Sequence, residues 1–443
     1  MSLWACLWAC LWACLNKCLN KCLNEYLNEN AEDKRVQCEH MFGRPPRLRL
    51  GQEYDTTLGV AAEESAEIAQ RDLSAHALCI GATDDALALG TALISEVLLQ
   101  GVPCIVVDVC GTLARMLVQK AAAQEEFSAH IAVRRVTPGI ADGEAVDVFG
   151  NLGFPVDTSL SWTKQGDLLR EHIARISGAL LARLGMPGDP QQTREHGLLC
   201  AVIESAWRAG QRIEAEDLIR MIQEPPISRI GEFEMDIYIP LDRRVALALA
   251  ISNFASGTSF REWSTGDRID VMQLLQPDRA GGGVNPAGRT RATVYDLAHL
   301  DTADQRVFTT FLFAQILLWM RLKAGVPHLR CMLYIADADR CDVEPLRMLL
   351  RFARAAGFSI VMQSDEATAL DRELHGGFGA VFVGHTADPA LTTALLAETS
   401  PAFNRDAADE WLATLPPRGF LLSFAAARDR AQSPRPMVFQ MEM

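Results

Sequence analysis

Residues 74–114 read SAHALCIGATDDALALGTALISEVLLQGVPCIVVDVCGTLA. Ala77–Ile80 has the unbroken apolar character of a buried strand, and Gly81-Ala82-Thr83-Asp84-Asp85 reads as a tight loop. From Ala86 to about Gln100 apolar residues recur at helical spacing, and the run Pro103–Val109 predicts the next strand. A buried strand that feeds a helix through a Gly-led loop has the layout of a phosphate-binding unit. The loop stands in the right place, but the side chains that such a unit needs are missing.

The chain around this unit has 443 residues, enough for two or three domains or for one large core with an insertion. Its 49% hydrophobic and 22% charged content fits a soluble globular protein. A formal net charge of −14 argues against whole-molecule attraction to nucleic acid, while leaving room for a local basic pore or groove. Of the twelve cysteines, Cys6, Cys10, Cys14, Cys18 and Cys22 belong to an N-terminal repeat. Others, such as Cys79, Cys104, Cys110 and Cys331, sit in or beside apolar runs and read as free thiols of a reducing cytosol. There is no CxxC pair to suggest zinc, and a cytoplasmic location is expected.

Residues 1–30 contain the tetrapeptide repeat LWAC-LWAC-LWAC-LNKC-LNKC-LNEY-LNEN. Four residues advance a helix by about 400°, so a leucine at every fourth position spirals around it and makes a poor coiled coil. The apolar part ends near Leu15, short of the roughly 20 residues that span a bilayer, and lacks the charged start of a signal peptide. The simplest reading is a translated tandem repeat with no part in the fold. A membrane-surface anchor and a thiol-rich metal stripe are the alternatives. Residues 31–70 are polar and turn-rich and read as a linker or N-terminal segment.

Residues 71–155 form the first half of a core, with further short strands expected at Ala129–Val136 and Ala145–Phe149 and a turn cluster at Gly150–Pro155. The pattern then changes. Leu168–Leu184, Gln192–Ala209, Ile213–Gln223 and Arg243–Ser252 carry apolar residues three and four apart, so residues 156–279 read as an all-helical insertion. The glycine-rich stretch Ala280–Thr290 lacks a lysine and a preceding apolar strand, and reads as a flexible linker. In residues 280–443 strands return at Ala292–Leu297, Arg330–Ile335, Phe358–Met362, Ala380–Gly384, Gly419–Phe424 and Met437–Met441, with helices at Asp304–Leu322 and Val343–Ala356. Strands alternating with helices at this spacing predict a mostly parallel sheet with helices on both faces.

Several segments, in order, resemble the bacterial HerA-like helicase family, within the HerA/FtsK group of P-loop ATPases. Gly81-Ala82-Thr83 stands where that family's phosphate loop begins. Asp108-Val109-Cys110-Gly111 resembles its second-strand aspartate and glycine. Val146-Asp147-Val148-Phe149-Gly150 with Gly153-Phe154-Pro155-Val156 resembles the strand and turn before its helical insertion. Leu329–Ile335 resembles the strand of its second acidic motif, and Arg354-Ala355-Ala356-Gly357 with Gln363 its sensor region. The likeness runs from about Ala75 to the C-terminus. It implies an α/β, RecA-like P-loop NTPase core with a mostly parallel sheet and an all-helical insertion.

The family's chemistry rests on three motifs, each altered here. A GxxxxGK[ST] loop holds phosphates with its lysine and ligates magnesium with its hydroxyl. Counted from Gly81, those positions are Ala86, Leu87 and Ala88. The degenerate loop is thus Gly81, Ala82, Thr83, Asp84, Asp85, Ala86, Leu87 and Ala88. Asp84 and Asp85 also put negative charge where polyphosphate would lie. Two like charges about 4 Å apart repel by roughly 4 kcal/mol at an effective dielectric near 20. The positions of the magnesium-ordering Asp and water-activating Glu hold Ala336 and Asp337, and the sensor Thr-Gln pair is Met362-Gln363.

Three losses in one site favour a fold kept without its chemistry: no cofactor, no metal, and an assembly or regulatory role. The resemblance implies a ring-type homo- or hetero-oligomer and double-stranded DNA as a candidate partner, with no membrane span. One alternative is an active DNA-dependent ATPase that takes ATP and magnesium in an altered way. Another is a scaffold for metal or peptide, with Asp84, Asp85, Asp108 and Asp337 converging on a cation. The basic pairs Arg289/Arg291 and Arg243/Arg244 are candidates for phosphate contacts within a ring.

Overall fold

The computed structural model describes residues 46–140, 142–153, 161–186, 192–257, 263–279, 288–366, 371–399, 405–424 and 436–441. The N-terminal repeat, the end of the turn cluster at 154–155 and most of the glycine-rich stretch (280–287) lie outside them. The chain divides into two compact units, Met1–Arg47 and Leu48–Met443, and the second holds nearly all that follows.

An eleven-stranded sheet organises the second unit. Its strands are β1 (Arg47–Asp55), β2 (Val60–Ala69), β3 (Ala77–Ile80), β4 (Cys104–Asp108), β5 (Ile131–Val136), β6 (Thr290–Asp296), β7 (Cys331–Ala336), β8 (Phe358–Ser364), β9 (Ala380–Val383), β10 (Gly419–Phe424) and β11 (Met437–Gln440). They lie in the order β2-β1-β11-β10-β9-β3-β8-β7-β4-β6-β5. From β9 to β5 every neighbouring pair is parallel. From β9 back to β1 the pairs are antiparallel. The parallel strands are covered on both faces, which is why β3, β4 and β7 read as apolar runs with every residue buried.

Helices α1 (Thr83–Leu99) and α2 (Thr112–Ala123) follow β3 and β4. The insertion between β5 and β6 is built mainly from α3 (Trp162–Arg183), α4 (Arg194–Arg208), α5 (Ala215–Gln223) and α6 (Leu241–Ser256), but it is not all-helical: Arg229–Ile230 pairs with Phe233–Glu234 in a tight hairpin turned at Gly231, and Asp267–Arg268 is a short strand. Helices α7 (Thr302–Leu322) and α8 (Val343–Ala356) return the chain to the sheet. The insertion is not walled off. Leu169, Ile173, Val202 and Trp207 share one apolar cluster with Phe308, Leu312 and Ile316 of α7 and with Ile105 and Leu333 of the sheet. Trp207 Nε1 donates to the carbonyl of Leu152 at 3.1 Å, and Gln315 of α7 meets His172 of α3 at 3.2 Å.

Two further expectations change. The segment read as a linker carries β1 and β2, joined by a turn in which Asp55 accepts the amides of Thr57 and Leu58. The strand expected at Ala145–Phe149 shrinks to Val146–Asp147, paired with Asp267–Arg268, because Gly150 starts a helical turn whose amide donates to Asp147. Among the described residues no helix is long and apolar enough to cross a membrane.

Candidate functional site

The carboxyl ends of β3, β8, β7, β4 and β6 meet at one edge of the parallel sheet, the position where open α/β folds bind ligands. At β3 the loop is shorter than its sequence suggests. Helix α1 begins at Thr83, not Ala86, with Ala82 as its extended N-cap and the Ala86 amide already donating to the Ala82 carbonyl at 3.0 Å. Only Gly81 and Ala82 remain between strand and helix. Ala and Leu are strong helix formers, and Asp84 and Asp85 favour the first turn through the helix dipole, so the helix extends toward the strand.

The amides of that short loop are already engaged. Gly81 N–H donates to the Ser364 carbonyl at the end of β8 (3.3 Å), and Ala82 N–H donates to the His385 carbonyl just past β9 (2.7 Å). Gly384 N–H donates in turn to the carbonyl of Ile80 (2.8 Å). A Cβ on Gly81 would stand 3.2 Å from the Cα of Gly384, so the two backbones touch here. Side chains complete the closure. Thr83 Oγ1 donates to Asp365 at 3.1 Å, and His385 Nδ1 lies 3.4 Å from the Asp85 carboxylate. Asp84 is exposed and Asp85 half-buried. Ala86 and Leu87 are buried and Ala88 is half-buried, so the position of the phosphate-binding lysine is taken up by a leucine packed in the core.

Beneath α1 lies a contact that the sequence did not suggest. Gly90 faces Tyr334 of β7 so closely that a Cβ there would stand 2.7 Å from the ring's Cζ. The buried Tyr334 hydroxyl donates to Gln363 Oε1 at 2.8 Å. Gln363, the expected sensor, is therefore a buried link between β8 and β7. Tyr334 was visible as one of several apolar residues in a strand, and the signal pointing to it is the glycine on the helix above.

The acidic edge is equally committed. Asp296, Asp108 and Ala336 are register partners across β6, β4 and β7. Asp108 accepts the Gly111 amide (2.8 Å) on one oxygen and the Ala114 amide (2.7 Å) on the other, capping α2. Burial raises its pKa to about 6, against the pull of those two amides. Asp296 is held by Arg135 at 2.8 Å, which also pairs with Asp142 at 3.1 Å. Ala336 offers no ligand. Asp337 sits on left-handed backbone, its pKa raised by burial against the Cys110 hydrogen bond and Arg340. Burial and Asp337 push the Cys110 thiol up to about 11. Ordering magnesium and activating water calls for two acidic positions at this strand end, and Ala336-Asp337 supplies one.

The alternative convergence of Asp84, Asp85, Asp108 and Asp337 does not form. Among the described residues no three His, Cys, Asp or Glu side chains are placed to hold a metal ion. Each arginine of the basic pairs has an acidic neighbour within the fold, and Arg289 and Arg291 share theirs. Arg289 and Arg291 lie 2.9 and 3.9 Å from Asp278. Arg243 lies 2.6 Å from the buried Glu195, and Arg244 lies 2.6 Å from Asp236.

No protein-family model and no curated protein matches the sequence. Solved structures match the fold. VirB4 of Thermoanaerobacter pseudethanolicus superposes with a TM-score of 0.59 at 10% identity, over 89% of this chain and 96% of that one. The bacterial conjugative coupling protein TrwBdeltaN70 gives 0.53 at 13% identity, over 89% and 93%. The plasmid coupling protein TrwB in complex with ADP and Mg2+ gives 0.52 at 12% identity, over 90% and 95%. On this likeness and its own mostly parallel sheet, the chain has a RecA-like P-loop NTPase fold.

Proposed function

We propose that this chain is a HerA/FtsK-type relative of the DNA translocases that has lost nucleotide hydrolysis and serves as an assembly or regulatory subunit of a ring-type oligomer. The observation that carries the reading is the closure of the loop after β3. The amides of Gly81 and Ala82 donate to Ser364 and His385, and Leu87 is buried where a lysine would reach for phosphate. A polyphosphate entering there would have to break those bonds and approach Asp85 and Asp365. The absence of a carboxylate at Ala336 supports the same reading from a separate strand. Double-stranded DNA remains the candidate partner through the family resemblance; Arg243 and Arg244 each pair with an acid of their own, while Arg289 and Arg291 share Asp278 and keep one positive charge unmatched by that pairing.

The test is thermal unfolding of the full chain with ATP and magnesium. A ligand at a hundredfold its Kd adds about 2.7 kcal/mol of stability, so real binding is easy to see. The expected result is no shift, and no phosphate release with or without double-stranded DNA. A saturable, magnesium-dependent shift with DNA-stimulated hydrolysis would sink the reading in favour of an active ATPase.

A further inference from the structure

At the other end of α1 from the closed loop lies an open groove of about 950 Å³. One face of α1 (Ala92, Ser95, Glu96 and Leu99) forms one wall. Lys120 and Gln124 from the end of α2, Phe127 and His130 from the short helix Glu125–His130, and Arg49 and Met441 from the sheet edge complete it. Its size falls within the range of small-molecule sites.

Lys120 is half-buried on the floor and held in place. Its Nζ donates to Ser95 Oγ at 2.9 Å and stands 5.3 Å from the Phe127 ring centroid. Ser95 Oγ donates its own proton to the Thr91 carbonyl at 2.6 Å, so it meets Lys120 as an acceptor. Among the described residues Ser95 is the one hydrogen-bond partner of this ammonium, which leaves donors facing the groove. Burial lowers the Lys120 pKa, with nearby Glu96 opposing, as expected for an ammonium short of solvent. Glu96 is itself drawn toward β1, where the Arg49 amide donates to its Oε2 at 3.1 Å. Beside these groups Leu99 leaves 54% of its surface exposed as an apolar wall.

We propose that this groove binds a small monocarboxylate with an apolar body, its carboxylate on Lys120 and its body along Leu99. A fixed ammonium matches one negative charge and supplies charge-assisted hydrogen bonds. Glu96, Glu125 and Glu126 also line the groove, beside the carbonyl ends of α1 and α2, so Lys120 holds an anion against their repulsion, and a dianion meets about twice the repulsion of a monoanion. That sets a carboxylate above a phosphate.

The experiment is calorimetric titration of the full chain with hexanoate, acetate, hexylammonium and inorganic phosphate. Hexanoate should bind saturably and more tightly than the other three. Lys120→Met, which keeps the aliphatic stem, should weaken it roughly tenfold or more. Leu99→Ser, a change at an exposed site that leaves the charge alone, should weaken hexanoate several-fold and leave acetate unchanged, and it decides the matter should the Lys120 variant not fold. The proposal is overturned if hexanoate does not bind, if either folded variant binds it like the wild type, or if hexylammonium or phosphate binds as well as hexanoate does.

Discussion

Asp108 shows how far a residue's neighbours redefine it. In sequence it is a strand-end aspartate in the right place for nucleotide chemistry. In the fold it is fully buried and spends both oxygens on the amides of Gly111 and Ala114. Its pKa of about 6, against 3.8 in the free side chain, means that the folded protein holds this proton more tightly than the unfolded chain does. Between about pH 4 and pH 6 the native state therefore binds more protons, and stability from this group falls as pH rises. A shift of that size is worth about 3 kcal/mol at most. The unfolding free energy of wild type relative to Asp108→Asn should accordingly decline across that window and level off above it, read from urea titrations at stepped pH. A flat difference would mean that the carboxylate keeps its ordinary pKa.

At the scale of the element, α1 decides the site. Its early start at Thr83 turns the loop's amides toward Ser364 and His385 and turns Leu87 inward. Leu87→Lys should therefore place an ammonium in the core, where an unpaired charge is costly. The expected outcome is a loss of several kcal/mol by denaturant unfolding, with no gain of ATPase activity. Recovered hydrolysis from this one change would overturn both the helix register and the reading of Ala336. The strand and helix themselves were legible: Ala77–Ile80 and Val343–Ala356 fall where the apolar runs and spacing put them. The start of α1 was not, because loop and helix share the residues Thr83–Asp85 and only the strand neighbours Ser364 and His385 choose between them. β2 was hidden for another reason. VAAEESAEIA is rich in helix formers, and only Ala66 and Ile68, buried two apart, mark the strand that β1 imposes.

For the whole molecule, the insertion and the sheet share one apolar cluster, with α7 between them. They should unfold together. Fluorescence from Trp162, Trp207 and Trp263 in and beside the insertion and far-ultraviolet dichroism from the whole chain should trace one coincident urea transition. Two separated midpoints would show that the insertion is an independent domain. Periodicity alone marked α3, α4, α5 and α6, since three- and four-residue spacing needs no tertiary knowledge, while the two-residue strands between them are too short to leave an alternating pattern. Its sharing of a core with the sheet depends on contacts such as His172 with Gln315, far apart in sequence, and no local pattern encodes them.

The contact of Gly81 with Gly384 bears on what could open this loop. From Gly81 to Leu87 the chain has the residue count of a phosphate loop, but Thr83–Asp85 are wound into α1, so the same length follows a tighter path. Opening it would mean unwinding the first turn of α1 and freeing the amides of Gly81 and Ala82 from the carbonyls of Ser364 and His385. The loop thus works as a clasp between three strand ends, closed by backbone bonds that a change of one side chain leaves in place.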